Sequence, residues 1–226
     1  MNRPFVYINM AMTVDGKITS AAREYPKFTS GYDRKNMDLL RARADAILVG
    51  AGTIRADNPT LCLRCPGMRE YRNSLGKPKG PMKVLVTAGA GIGTDYRFFS
   101  EDDGGDIIVA TTEEVPENML APFRGKAEVL KIGQGKVDLP RLLGELKRRG
   151  VEKLLAEGGG ETNWRLIDDD LVDELFITIA PSLLGGRDAP TVVEGAGVSM
   201  ERQIRLRLLD MRREGDEIYC RYSVVR

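Results

Sequence analysis

The sequence predicts an α/β protein: a mostly parallel central sheet with helices on both faces, closed at one edge by a C-terminal antiparallel hairpin. Three observations carry this. Short apolar runs bounded by turn residues recur along the chain, among them "AILVG" (46–50), "KVLVT" (83–87), "DIIVATT" (106–112), "AEVLKI" (127–132) and "EKLLAE" (152–157). Unbroken runs of that length suit strands buried on both sides. Segments with helical period alternate with them, and strand–helix alternation implies parallel pairing through crossover helices. Finally, "IRLRLLDMRREGDEIYCRYSVV" (204–225) reads as two strands about an "EGDE" turn, a connection short enough to join only antiparallel neighbours.

Taken in order, "PFVYINMAMTVDGKI" (4–18) is a strand ending at a D-G turn, and the Gly and Pro of "TSAAREYPKFTSGYD" (19–33) argue for loop. The stretch "YDRKNMDLLRARADA" (32–46) is a helix, with Asp33 suited to cap it and Met37, Leu40 and Ala44 at helical spacing. After "AILVG", the segment "AGTIRADNPTL" (51–61) is too rich in Gly, Asn and Pro to remain one regular element. "RCPGMREYRNSLGKPKGPM" (64–82) reads as an irregular excursion from which the strand–helix alternation resumes. Leu139, Leu142, Leu143 and Leu146 share one face of a helix that Gly150 ends. "ETNWRLIDDDLVDEL" (161–175) is helical, its "DDD" a solvated start of a loop, and "FITIAP" (176–181) is a strand. The chain carries no internal repeat and is read as one domain over residues 1–226.

Composition narrows the function. The 34 Lys and Arg against 33 Asp and Glu leave a net charge of +1, so the electrostatic footprint of a nucleic-acid binder is missing. No apolar stretch approaches the roughly 20 residues that cross a bilayer, and the N-terminal stretch lacks the apolar region of a signal peptide, so the expected location is the cytoplasm. Cys62 and Cys65 have C-x-x-C spacing, but the remaining cysteine, Cys220, supplies no second pair, and a metal site is not expected. There is no histidine. Chemistry therefore falls to carboxylates, lysine, tyrosine, or a cofactor that brings the electrons.

Open parallel sheets bind ligands at the carboxyl ends of their strands, and three of those ends carry glycines: "LVGAGT" (48–53), "VTAGAGIG" (86–93) and "AEGGGET" (156–162). None completes the G-x-G-x-x-G dinucleotide fingerprint. In the third, a strand, a bare turn and an immediate helix would place unpaired N–H groups where a phosphate can approach, so Gly158, Gly159 and Gly160 are candidate pyrophosphate contacts. Tight strand-to-helix packing is the alternative. Glu157, at the end of that strand, should meet a cation or a substrate hydroxyl. Lys17 can supply such a charge or be a solvated turn lysine. Thr53 and Asp57 are polar groups after a buried strand, Leu61 is apolar, and Arg64 can pair with a phosphate, as can Arg41 from the preceding helix.

Together "AMTVDGKI" (11–18), "LRARADAILVGAGTIRADNPTL" (40–61) and "EGGGETNWRLIDDDLVDELFITIAPSLLGGRDAPTVVEG" (157–195) closely resemble the riboflavin-biosynthesis reductases. These comprise stand-alone diamino-ribosylamino-pyrimidinone phosphate reductases and the reductase half of bifunctional deaminase-reductases. The resemblance spans residues 5 to 197 in the family's order. It implies a dihydrofolate-reductase-like fold, NADPH as hydride donor with NADH an option, a phosphorylated pyrimidine substrate and a homodimer. It assigns Gly158, Gly159, Gly160 and Glu161 to the cofactor phosphate loop, Thr53 and Asp57 to a block touching cofactor and substrate, and Thr87, Ala88 and Gly89 to the adenosine side. Arg41, Leu61 and Arg64 fall on substrate-side positions, the arginines toward the 5′-phosphate, and Lys17 and Glu157 on the pair beside the reacting ribose. Tyr25 and Lys27 depart from the bifunctional relatives' pattern, as does the apolar "VTAGAGIG". The wording "GGRDAPT" favours the stand-alone type, acting on the diamino pyrimidinone. Action on the deaminated uracil, a dihydrofolate- or pteridine-reductase-like enzyme, and a non-catalytic nucleotide-binding protein remain as alternatives.

Overall fold

The computed structural model describes residues 2–24, 26–89, 91–101 and 103–226. Among them are nine strands, β1 (Phe5–Thr13), β2 (Ala46–Gly50), β3 (Met82–Val86), β4 (Ile107–Thr111), β5 (Glu128–Lys131), β6 (Lys153–Ala156), β7 (Glu174–Ala180), β8 (Leu206–Glu214) and β9 (Glu217–Val224). Seven α-helices accompany them: α1 (Gly31–Arg43), α2 (Ala51–Asp57), α3 (Met68–Ser74), α4 (Arg97–Ser100), α5 (Glu117–Leu120), α6 (Leu139–Arg148) and α7 (Gly160–Asp168). All nine strands belong to a sheet, and the chain packs as two compact units.

The first unit, residues 1–5 and 38–155, holds the strand order β5-β4-β3-β2-β6. The pairs β2–β3, β3–β4 and β4–β5 are all parallel. Every residue of β2 is buried, as a continuous apolar run requires. Helix α6 buries Leu139, Leu142, Leu143 and Leu146, the stripe its spacing predicts. Its N-terminus is capped by the Asp138 carboxylate accepting the Arg141 N–H, with Pro140 in the first turn. Gly150, at φ +88°, follows its end, a backbone state costly for any other residue.

The second unit, residues 6–37 and 156–226, holds β1-β7-β9-β8. β1 and β7 are parallel, and β7–β9 and β8–β9 antiparallel, with a register shift between Leu208 and Asp210. The hairpin turns on Gly215, at φ +61°, as the "EGDE" signal predicts. All nine residues of β8 are exposed, apolar Leu206, Leu208, Leu209 and Met211 included.

One local expectation holds, that the stretch after β2 does not remain one regular element, and three differ from what forms. The stretch after β2 begins as a helix, α2, and becomes irregular only at Asn58, whose left-handed conformation (φ 44°) ends it. The excursion over 64–82 contains α3, whose Arg72 is fully buried. Its guanidinium donates to the carbonyls of Pro78 (2.6 Å), Ala42 (3.1 Å), Gly80 (3.2 Å) and Ala44. The helix expected over 161–175 stops at Asp168, because Asp170 turns left-handed and Glu174 already lies in β7. At α1 the cap is Ser30, whose hydroxyl accepts the N–H groups of Tyr32 (3.1 Å) and Asp33 (3.3 Å). Asp33 instead accepts from the Thr178 hydroxyl of β7 at 2.7 Å, and burial pushes its carboxyl up.

Candidate active site

In the first unit the residues singled out gather on the segment following β2 and on the end of β3. Thr53 and Asp57 lie on α2, both half-buried. Burial alone pushes the Asp57 carboxyl above its ordinary value, and no hydrogen bond to it is found among the described residues. Such a carboxylate is poised to take a hydroxyl or amide donor. Beyond α2 the chain reverses through Asn58, whose side-chain oxygen accepts the Arg97 N–H (2.7 Å), and Leu61, 1% exposed at φ 57°. A bulky residue in that region is strained, and such strain persists only where surrounding contacts impose it. Thr60 is one of them, its hydroxyl accepting from the Cys62 N–H and from Arg64 Nε (3.2 Å) and Nη2 (3.3 Å).

The two arginines differ in setting. Arg64 is exposed, and its guanidinium pairs with Glu101 at 2.5 Å. Glu101 also accepts from Arg97 at 2.8 Å, and these two cations, Arg97 foremost, hold its carboxyl below the usual range. Arg41 is buried, 6% exposed, with Nη1 3.4 Å from Asp38 and 3.2 Å from the Cys62 carbonyl. At the end of β3 the Thr87 hydroxyl donates to the Gly89 carbonyl (2.5 Å), and the Thr112 hydroxyl to that of Ala88 (3.0 Å). Ala88 and Gly89 themselves are exposed.

In the second unit the site is built round the two turns that the sequence marks. Lys17 follows β1 and is half-buried. Its N–H donates to the Thr13 hydroxyl (3.0 Å), its ammonium to the Ala189 carbonyl (3.0 Å), and it bridges to Thr191. The loop carrying Ala189 is held in turn by Asp15, which accepts from the Thr13 hydroxyl (2.6 Å) and from the N–H groups of Gly185 (2.6 Å) and Leu184 (3.2 Å). Those donors, Thr13 foremost, pull the Asp15 carboxyl down to about 2.

Glu157 leaves β6 half-buried and is followed by the glycine turn and α7. The structure gives two of the three glycines a packing reason. A Cβ at Gly158 would stand 2.5 Å from Asn163 Oδ1, and one at Gly160 2.4 Å from Glu194 and 2.7 Å from the Thr191 carbonyl. Asn163, wholly buried, ties the same loop by donating to the Val192 carbonyl (2.8 Å). Gly159, at φ 71°, occupies the N-cap position, and no side chain caps α7. The first-turn amides of Gly160, Glu161 and Thr162 therefore point out of the helix without an intrahelical acceptor, a geometry that fits a phosphate group. Glu161 stands exposed beside them.

The match to known proteins runs almost end to end. The model of the RibD C-terminal domain family matches residues 4–220. The chain belongs to the RibD C-terminal domain family. The 2,5-diamino-6-ribosylamino-4(3H)-pyrimidinone 5′-phosphate reductase of Archaeoglobus fulgidus is 35% identical over 221 residues, covering 98% of this chain and 99% of that protein. The protein of the same name from Methanothermobacter thermautotrophicus is 34% identical over 223 residues, covering 98% and 99%. Among solved structures, a pyrimidine reductase-like protein of Corynebacterium diphtheriae superposes with a TM-score of 0.82 at 24% identity, covering 100% of this chain and 93% of that one. This likeness establishes the dihydrofolate-reductase-like α/β fold of the RibD C-terminal domain family for the chain.

Asp38, Arg97 and Glu101 in the first unit and Asp15 in the second are polar residues beside these segments to which the sequence alone assigns no role. Asp38 carried a signal, standing one helical turn before Arg41, whereas nothing local announces Glu101 or Arg97. Lys27 is exposed, and Tyr25 lies outside the described residues.

Proposed function

We infer that the chain reduces the ribosylamino side chain of 2,5-diamino-6-ribosylamino-4(3H)-pyrimidinone 5′-phosphate to ribitylamino, in riboflavin biosynthesis, with NADPH. One observation carries this reading: two reductases named for that substrate align with the chain over 99% of their own length, at 34% and 35% identity.

Each unit offers groups suited to one part of a reduced dinucleotide. The uncapped first turn of α7 would take its pyrophosphate, and the loop of Thr87, Ala88 and Gly89 would take its adenosine side. When bound, the nicotinamide supplies a hydride to the ribose C1′. The rest of the reaction falls to the protein. Opening the sugar to an imine needs a proton on the ring oxygen, and the reduced product needs one on nitrogen. Lys17 and Glu157 are the groups assigned to orientation and these proton movements, Lys17 with its ammonium fixed by the Ala189 carbonyl. Asp57 offers an unpartnered carboxylate to a ribose or pyrimidine donor, and Arg64 offers an exposed guanidinium to the 5′-phosphate. The absence of histidine is no obstacle, because no nucleophile is required.

The same reading makes the enzyme a homodimer working in the cytoplasm. The exposed strand β8, which carries Leu206, Leu208, Leu209 and Met211 among charged residues, supports the dimer. Among the described residues no helix is long and apolar enough to cross a membrane. The test is direct. Purified protein is mixed with NADPH or NADH and with the diamino pyrimidinone, its deaminated uracil counterpart or dihydrofolate, and loss of reduced-cofactor absorbance is followed. The expected result is turnover of the diamino compound with NADPH; preference for the uracil or for dihydrofolate, or tight NADPH binding without oxidation, would replace this assignment.

A further inference from the structure

Asp38 sits inside α1 with 2% of its surface exposed, and it carries an unusual number of partners for a helix carboxylate. Its Oδ2 accepts two consecutive backbone N–H groups, those of Arg64 (2.8 Å) and Cys65 (2.7 Å). Its Oδ1 faces Arg41 Nη1 at 3.4 Å, and the same nitrogen donates to the Cys62 carbonyl at 3.2 Å. One buried carboxylate thus touches the side chain of one candidate phosphate arginine and the backbone of the other. A buried charge is retained at a cost, and apolar packing could join the helix to the loop without it. What apolar packing cannot do is fix two cations relative to each other.

We propose that Asp38 is a positioning residue for the substrate's phosphate. It sets the point at which Arg64 leaves the loop and turns the Arg41 guanidinium, so that a phosphate dianion meets cations already arranged. Arg64, whose side chain is 52% exposed and paired with Glu101, makes the direct contact by exchanging that carboxylate for the phosphate. Arg41 adds charge from a buried position, where it is little screened. The proposal rests on the reading of Arg41 and Arg64 as phosphate-side residues.

The experiment compares wild type, Asp38→Asn and Asp38→Glu on the phosphorylated substrate and on its 5′-hydroxyl counterpart. Inorganic phosphate serves as a competing probe, and thermal unfolding checks folding. In Asp38→Asn the KM for the phosphorylated substrate rises about ten-fold, the worth of one charge-assisted hydrogen bond. Inhibition by phosphate weakens in parallel, while kcat, the KM for NADPH and the KM for the 5′-hydroxyl compound stay within about two-fold. A fall in kcat, or an equal loss on both substrates, would assign Asp38 a purely structural role and overturn the proposal. Should Asp38→Asn not fold, Asp38→Glu, which keeps the charge and displaces it, must show the same phosphate-specific loss. Failure of both to fold also overturns it. A wild type indifferent to the phosphate would remove the arginine reading itself, whereas a wild-type preference that Asp38→Asn leaves intact removes this proposal alone.

Discussion

Glu157 and Lys17 are the residues on which the proposed chemistry turns: Glu157 directly follows β6, and Lys17 lies in the turn after β1, so both fall beyond the carboxyl ends of parallel strands, where side chains can face a ligand. Replacing Glu157 by Gln keeps its shape and removes its ability to carry a proton. Turnover should fall about 10²-fold, the lower end of what a positioned acid–base group contributes, with NADPH affinity nearly unchanged. Stopped-flow reduction and a fluorescence titration of the cofactor separate the two quantities. Equal turnover in the variant would take Glu157 out of the chemistry. At this scale the sequence was informative where a residue type is rare in its setting: a carboxylate ending an apolar strand, or three glycines opening a helix. It was silent where partners come from far along the chain. The Asp33 side chain could have capped its own helix; a threonine 145 positions away claims it, and Ser30 takes its place. Two of the three glycines likewise prove to have a packing reason: Asn163, on the helix that follows, crowds Gly158, and Thr191 and Glu194, far along the chain, press against Gly160.

At the scale of elements, long amphipathic periods and buried strands were legible because a single repeated cue specifies them, as the four leucines of α6 do. The short helices α2 and α3 were not. Each has only seven residues, and tertiary contacts such as the Arg72 hydrogen bonds outweigh the Gly and Pro around them. The segment 182–191 has no regular structure of its own, and Asp15 holds its start. Its carboxyl lies at about 2 in the folded chain against an ordinary 3.8. A lowered value means that the ionised form is the one bound, so the hold is complete above about pH 4 and is lost as pH falls toward about 2. Nuclear magnetic resonance should find the Leu184 and Gly185 amides protected at neutral pH in the wild type and unprotected in Asp15→Asn. A carboxyl titrating at its ordinary 3.8 would show that the loop does not grip it.

For the whole molecule, β8 raises the question of what covers it. An exposed nine-residue edge whose five charged residues deter indiscriminate pairing still offers four large apolar side chains to a partner, and a two-fold axis lets such a strand pair with its own copy. Leu208→Lys should therefore convert a dimer into a monomer in sedimentation velocity at micromolar concentration, without loss of helix or strand signal. A wild type that already sediments as a monomer would refute the dimer. The opposite case is the excursion over 64–80, where one side chain does the anchoring. Because the guanidinium of Arg72 has no neutral form in proteins and fills acceptors on both Ala42–Ala44 and Pro78–Gly80, this segment behaves as a rivet rather than an ornament. Trimming it in a minimised version of the enzyme would strip the main-chain carbonyls of Arg41, Ala42 and Ala44 of this donor at once, so the shortest workable chain must keep it.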